Sequence, residues 1–412
     1  MDKSFNQNNL NQLVNVINNK NVNPNVSEYA NLFSDEIAIG IRNFHRTVPK
    51  YNTTPLIELE DTAIKFGISK LWLKDESHRM GLKAFKILGG SYAITNILSN
   101  KLGINKEFLS FEKLSAEDLS SFSFVTATDG NHGRGVAWVA NKLGCKSFVF
   151  MPNTSSESRI NNIKEFATEV FVVDGNYDFA TEKAKQFAKN ENSILVQDSS
   201  WFGYEEIPLM IMQGYLTLID EIYEQLNGEN FTHIFLHCGV GSMPAAIEAF
   251  LVNKFGVNKP KTIIVEPNKA DCFYKSIEIN DGEPHIVSGK LDSIMAGLSC
   301  GIPSKIAWDI ISKHSDYFTS CVDEITKIGM RELAKLNIVS GESGAVSYGI
   351  LSHAFKNDKS ILESLEINAD SKIMLISTEG DTDPEFYNSI INVNSPTPIN
   401  RGWAFLIAPI LF

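Results

Sequence analysis

Lys86 stands between Phe85 and Ile87, in the run Lys74-Asp-Glu-Ser-His-Arg-Met-Gly-Leu-Lys-Ala-Phe-Lys-Ile-Leu-Gly-Gly-Ser-Tyr-Ala93, just ahead of what reads as a glycine-started helix. Apolar neighbours strip water from an ammonium and lower its pKa, and a neutral amine is the nucleophile that condenses with an aldehyde. Such chemistry needs one lysine, and the stretch offers Lys74, Lys83 and Lys86. A solvated lysine near a helix start has the same local sequence, so the deciding residues lie downstream.

Three loops after apolar runs supply them. Thr126-Ala-Thr-Asp-Gly-Asn-His-Gly-Arg-Gly135 follows Ser123–Val125 and opens a helical pattern over Val136–Leu143. Its exposed N–H groups and helix start suit a carboxylate or phenolate oxygen, although Asp129 would also serve as a plain cap. His237-Cys-Gly-Val-Gly-Ser-Met243 follows Thr232–Leu236 and opens another helix. Glycines let backbone N–H groups close on an anion, so this loop can hold a phosphate without a basic side chain. It is not a Walker loop, for no Gly-Lys-Ser/Thr follows. Nor does it complete the dinucleotide pattern, because Pro244 stands three residues beyond Gly241. Ile376-Ser-Thr-Glu-Gly-Asp-Thr-Asp-Pro384 ends the last apolar run in hydroxyls and then carboxylates. Ser377 or Thr378 could meet a pyridine nitrogen; a neutral hydroxyl there leaves the nitrogen unprotonated, which favours elimination over transamination.

Short β-rich runs alternate with helical patterns along the chain. Strands are expected over Ser123–Thr128, Lys146–Met151, Glu169–Asp174, Ser193–Gln197, Thr232–Cys238, Lys261–Pro267 and Ser371–Thr378. Each is nearly continuous in apolar residues, which suits strands covered on both faces. Helices are expected over Gly135–Leu143, Ser156–Ala167, Asp178–Asn190, Met243–Phe255 and Lys327–Leu336, where apolar residues recur three or four apart. The alternation implies an open, mostly parallel α/β architecture with ligands at strand C-terminal ends. The first 30 or so residues are rich in Asn and read as a surface arm without a long regular element. The tail Asn392–Phe412 ends in a hydrophobic run that could dock on the body or on a partner chain.

At 412 residues with 43% apolar and 21% charged content, the chain can bury the cores of two ordinary domains. A net charge of -12 and the lack of a basic stripe argue against nucleic acid and for small-molecule ligands. The start lacks a signal-peptide pattern, and no segment offers about twenty consecutive apolar residues for a membrane span, so a cytoplasmic location is expected. The cysteines at 145, 238, 272, 300 and 321 are too scattered for a disulfide framework, and no C-x-x-C pair suggests a metal. Reduced thiols are the default, with Cys272 and Cys300 close enough to turn residues that a pairing stays open.

The lysine, the asparagine loop, the glycine loop and the terminal serine and threonine, in this order, resemble the tryptophan synthase β-subunit superfamily of pyridoxal phosphate enzymes, fold type II. The resemblance runs from about residue 50 to 390. Within that group the chain is most similar to the diaminopropionate ammonia-lyases, through Gly81–Ala93, Ala127–Trp138, Gln197-Asp-Ser-Ser-Trp-Phe-Gly-Tyr204, Met295-Ala-Gly-Leu-Ser-Cys-Gly301 and Ser377–Pro384. It implies two open α/β domains, a discontinuous large one (1–90 and 215–412) and a small one (91–214), with pyridoxal 5'-phosphate in the cleft between them. It makes Lys86 the Schiff-base lysine and leaves Lys83 and Lys74 as bystanders. Asn131 would contact the cofactor's 3′-oxygen, Gly239, Val240, Gly241, Ser242 and Met243 would cup its phosphate, and Ser377 or Thr378 would face the ring nitrogen. Asp129 stands where many relatives carry serine or threonine, and a carboxylate beside the substrate's α-carbon can act as base or hold a cation. Asp198 is placed to do the same. The implied reaction is α,β-elimination of 2,3-diaminopropionate on both stereoisomers by a homodimer; a serine/threonine dehydratase of the same fold is the alternative. Glu342, in Ser340-Gly-Glu-Ser-Gly344, is expected to shape a turn.

Overall fold

The computed structural model describes residues 13–23, 29–105 and 109–392. The strands are β1 Val14–Asn18, β2 Leu56–Glu58, β3 Lys70–Asp75, β4 Ser123–Ala127, β5 Lys146–Pro152, β6 Glu169–Val173, β7 Ile194–Leu195, β8 His233–His237, β9 Lys261–Pro267, β10 Tyr317–Cys321 and β11 Lys372–Ser377. They form a seven-stranded sheet, β1-β10-β9-β8-β11-β3-β2, and a four-stranded sheet, β6-β5-β4-β7. All pairings inside both sheets are parallel except the two edges of the larger one, where β1 and β2 run antiparallel to β10 and β3.

The continuous apolar runs have the cause expected of them. Successive residues of a strand point to opposite faces, and here Ile234, Leu236, Met374 and Ile376 enter one core while Phe235, Ile373 and Leu375 enter the other. The small sheet repeats the pattern, with Val125, Ala127 and Phe150 on one face and Val149 and Met151 on the other.

Four strands lie outside the sequence expectations. In the Asn-rich arm, Val14–Asn18 pairs along β10 from Val14↔Cys321 to Asn18↔Tyr317, so that part of the arm is an edge strand. Val14 and Val16 face one core and Ile17 the other, apolar contact enough for a short edge strand despite its asparagines. The tip 1–12 and the tail 393–412 lie outside the described residues. β3 was hidden by Lys74, whose side chain is fully buried: Nζ bonds Thr54 O and Glu221 Oε2, each at 2.8 Å, and Gln225 Oε1 at 2.7 Å. β2 is three residues long, and in β10 a polar Thr-Ser pair interrupts the apolar signal.

The helix expected from Gly135 begins four residues earlier, over Asn131–Lys142, so the loop residues Asn131 to Arg134 are its first turn. It packs against the helix Ile87–Leu102 at Gly135, where a Cβ would stand 3.2 Å from Ile87 Cα. A side chain there would push the asparagine loop away from Lys86, which immediately precedes that second helix.

Candidate active site

The three loops meet: β8 and β11 are neighbours in the larger sheet, and the loop after β4 of the smaller sheet faces them. The residues after β4, β8 and β11 line one cleft. Lys86, Asp129, Asn131, Asp198, Gly239, Val240, Gly241, Ser242, Met243 and Thr378 all line it. Lys83 turns outward to pair with Asp381 at 2.7 Å.

Lys86 Nζ lies 2.6 Å from Asp198 Oδ2, with its side chain 17% exposed. Burial alone would lower the ammonium's pKa. The adjacent Asp198 carboxylate overrides burial and raises it above the ordinary lysine value. The same pair holds Asp198 well below the usual carboxylate range despite its own burial. Asp198 is fixed from behind: Tyr177 Oη donates to its Oδ1 at 3.1 Å, Gln197 Nε2 donates to Tyr177 Oη at 2.6 Å, and Gln197 itself is bonded to the Ala127 backbone at the end of β4.

Asp129 is different in kind. Burial, reinforced by Asp178 and Asp198 and opposed by Arg159, pushes its carboxyl up to about 7. One carboxylate held ionised and one poised near neutrality in the same cleft is the arrangement of groups with separate proton-transfer duties.

The glycine loop has the shape of an anion cradle. Gly241 has φ +93°, a conformation glycine adopts without strain, and a Cβ there would stand 2.5 Å from the Phe273 ring. At Gly239 a Cβ would meet Gly297 O at 2.9 Å. The helix Ser242–Phe255 starts here, so its first N–H groups face the cleft without intrahelical partners. Pro244 lies in that first turn, where the absent N–H costs nothing. Ser242 Oγ donates to Asp198 O, joining the cradle to the carboxylate beside Lys86. A phosphate ester of a pyridine aldehyde fits these residues: a backbone cradle for the ester, an amine for the aldehyde, and a hydroxyl for the ring.

The choice between Ser377 and Thr378 is geometric. Ser377 Oγ turns away to donate to Ser340 Oγ at 2.7 Å, whereas Thr378 lines the cleft with Oγ1 3.4 Å from His237 Nδ1. Burial pushes the His237 imidazole down to about 3, so that neighbour is neutral.

Several lining residues were not singled out from the sequence. His132 lies one position after Asn131; its Nε2 is 2.8 Å from Val196 O. Glu379 accepts from Asn131 Nδ2 and, at 2.9 Å, from Ser343 N. Both follow directly on residues that were identified, and adjacency was the available signal. Tyr177 comes from a helix whose sequence carries no local mark of a site, and Cys300, within the Met295–Gly301 phrase, was considered only as a possible partner of Cys272. Glu342 does lie in a turn, and a buried one: it is 2% exposed and paired with Arg159. Cys272 and Cys300 do come together, with Cys272 Sγ 3.6 Å from Cys300 O, but both thiols are free.

A family model described as pyridoxal-phosphate dependent enzyme matches residues 48–378. The diaminopropionate ammonia-lyase of Salmonella typhimurium is 42% identical over 375 residues, covering 87% of this chain and 93% of the relative. The crystal structure of the Escherichia coli diaminopropionate ammonia-lyase in complex with D-serine superposes with a TM-score of 0.86 at 40% identity, over 92% of this chain and 96% of that one. A biosynthetic L-threonine dehydratase of Staphylococcus epidermidis is more distant, at 26% identity over 66% of this chain and 58% of its own length. On the strength of the family match and of the identity to the ammonia-lyases along most of both chains, the protein belongs to the pyridoxal-phosphate-dependent enzymes, in the family of the diaminopropionate ammonia-lyases.

Proposed function

We infer that the chain is a carbon–nitrogen lyase that, with water, converts 2,3-diaminopropionate to pyruvate and two molecules of ammonia, and that it accepts both stereoisomers. The observation that carries this reading is the pair of carboxylates, Asp129 and Asp198, in one cleft with Lys86. Serine and threonine bring one ammonium to such a site; diaminopropionate brings two, and a cleft rich in carboxylates suits the second.

Pyridoxal phosphate, when bound, supplies the electron sink that makes the substrate's α-carbon acidic. Lys86 Nζ is the amine that anchors its aldehyde. The N–H groups of Gly239, Val240, Gly241, Ser242 and Met243 hold the phosphate, Asn131 meets the 3′-oxygen, and Thr378 faces the ring nitrogen. Asp129 takes the α-proton from one face. On the other face Asp198, or Lys86 once freed, does so, and two bases on opposite faces let both isomers react. Lys86 also carries protons between steps. We place the enzyme in the cytoplasm as a homodimer, a reading supported by five free, buried cysteines and by the family resemblance.

The test is pyruvate formation from D- and L-diaminopropionate, serine and threonine side by side. Both diaminopropionate isomers should turn over faster than either hydroxy amino acid; faster serine turnover would sink the substrate assignment in favour of a dehydratase. Light scattering of the purified protein checks the dimer.

A further inference from the structure

One buried polar atom in the cleft has no hydrogen-bond partner among the described residues, and it is not among the groups assigned a duty above. His132 is 4% exposed, and its Nδ1 is unpartnered. The other ring nitrogen sits 2.8 Å from Val196 O. A carbonyl can only accept, so Nε2 carries the proton and Nδ1 presents a lone pair to the cleft. Burial lowers the His132 pKa, which keeps the ring in this neutral form. Nδ1 lies 3.9 Å from Asp198 Oδ2. Two acceptors at that separation do not bond each other; a donor with more than one hydrogen fits between them, at about 2.9 Å from each.

We propose that Asp198 Oδ2 and His132 Nδ1 together seat the second ammonium of the substrate, which makes His132 a residue that selects a cationic leaving amine over a hydroxyl. This rests on the reading of the substrate given above. An ammonium already occupies the Asp198 side of that seat: Lys86 Nζ, at 2.6 Å. A neutral Lys86, whether it holds the cofactor's aldehyde or serves as base, would give Asp198 no positive partner, and a substrate ammonium would replace it. Three N–H donors satisfy both acceptors, and the positive charge meets Asp198. A serine hydroxyl has one hydrogen, so it leaves one buried acceptor unpaired, and it brings no charge.

The test compares two substrates on the holoenzyme. Diaminopropionate leaves as an amine, whereas 3-chloroalanine loses chloride and offers no second ammonium. H132L removes the acceptor; H132N keeps an amide oxygen near the same place. Absorbance above 400 nm shows whether each variant folds and loads cofactor. The ratio of kcat/KM for diaminopropionate to that for 3-chloroalanine should fall at least tenfold in H132L and by less in H132N. A purely structural role would lower both substrates together and leave the ratio within twofold of the parent, which overturns the proposal. Should H132L fail to load, the same ratio in H132F, which also lacks the acceptor, decides: a fall supports the seat and an unmoved ratio overturns it. A parent enzyme that prefers serine to diaminopropionate overturns the substrate reading itself, a distinct result from an unmoved ratio in an enzyme that prefers diaminopropionate.

Discussion

Lys86 shows two opposed effects on one amine, and magnitude decides between them. Desolvation favours the neutral form, but a carboxylate at 2.6 Å in a water-poor cleft favours the ammonium more strongly. Asp198 therefore stores Lys86 as a cation until the cofactor arrives. K86A should load no covalently held cofactor, losing both the absorbance above 400 nm and turnover; retention of both would remove Lys86 from the mechanism. Asp129 gives a pH prediction. With its carboxyl near 7, the base form is the minor one below that pH. For the isomer it serves, kcat/KM should climb about tenfold per pH unit below 7 and level off above. D129N should abolish that isomer's turnover and spare the other. Stability supplies the counterpart. Asp129 has a folded pKa above its unfolded value of 3.8, so below that value both states are protonated and nothing is lost. Between there and 7 the unfolded chain ionises first, and the fold is increasingly penalised, fully so above 7. D129N should accordingly melt higher than the parent at pH 8, with the difference vanishing near pH 3; an equal melting temperature at pH 8 counts against a buried, strained carboxylate.

At the scale of elements, the end of β11 shows what a two-residue period does to a site. Ser377 closes the strand and Thr378 is the first residue beyond it, and their hydroxyls face opposite ways: Thr378 enters the cleft and Ser377 bonds Ser340 behind it. T378V should lower kcat by an order of magnitude or more with little change in melting temperature. S377A should do the reverse, costing about 1 kcal/mol in a denaturant titration for the lost hydrogen bond while sparing kcat. A larger catalytic loss in S377A would reassign the ring contact. The alternation itself cannot be phased from sequence, because both residues are polar and the strand ends between them. What was legible is the kind of thing sequence records well: apolar runs long enough to be covered on both faces, and glycine-bearing polar loops that close them. The strands β3 and β1 were illegible for opposite reasons. Lys74 in β3 looks like a surface residue until Glu221, about 150 residues away, neutralises it. β1 is masked by asparagines that a half-exposed edge tolerates. His132 and Tyr177 could not be read as site residues because their place depends on where other elements bring Val196 and Gln197.

On the scale of the whole molecule, the cleft is bridged as well as lined. From the side of the four-stranded sheet, Asn131 reaches Glu379, Arg159 pairs with Glu342, Asn162 Nδ2 donates to Thr382 O at 3.0 Å, and Arg134 Nη1 donates to Leu82 O at 3.2 Å. Each tie ends on a loop beside or just after β3 or β11, or before the helix Val346–Lys356. One hydrophobic core spans both sheets, holding Phe124 of β4 with Trp72, Ile234, Leu236 and Ile376 of the larger sheet, so these polar ties act at the rim of the cleft, where water must be kept out for charge on the reacting carbon to be stabilised. Arg159–Glu342 is the most consequential, since both partners are largely buried and neither can be left alone cheaply. R159M leaves a buried carboxylate unpaired; E342Q leaves a guanidinium so; R159M/E342L removes both charges. The single variants should raise KM for diaminopropionate several-fold, with kcat changed less, and should speed amide exchange in the helix Glu157–Lys164 without affecting β8 and β9. The double variant should recover part of the stability that R159M loses, a coupling on the order of 1–3 kcal/mol in a mutant cycle. Additive losses, or exchange that quickens equally in both sheets, would mean that the pair braces the fold generally and does not govern the closing of the cleft.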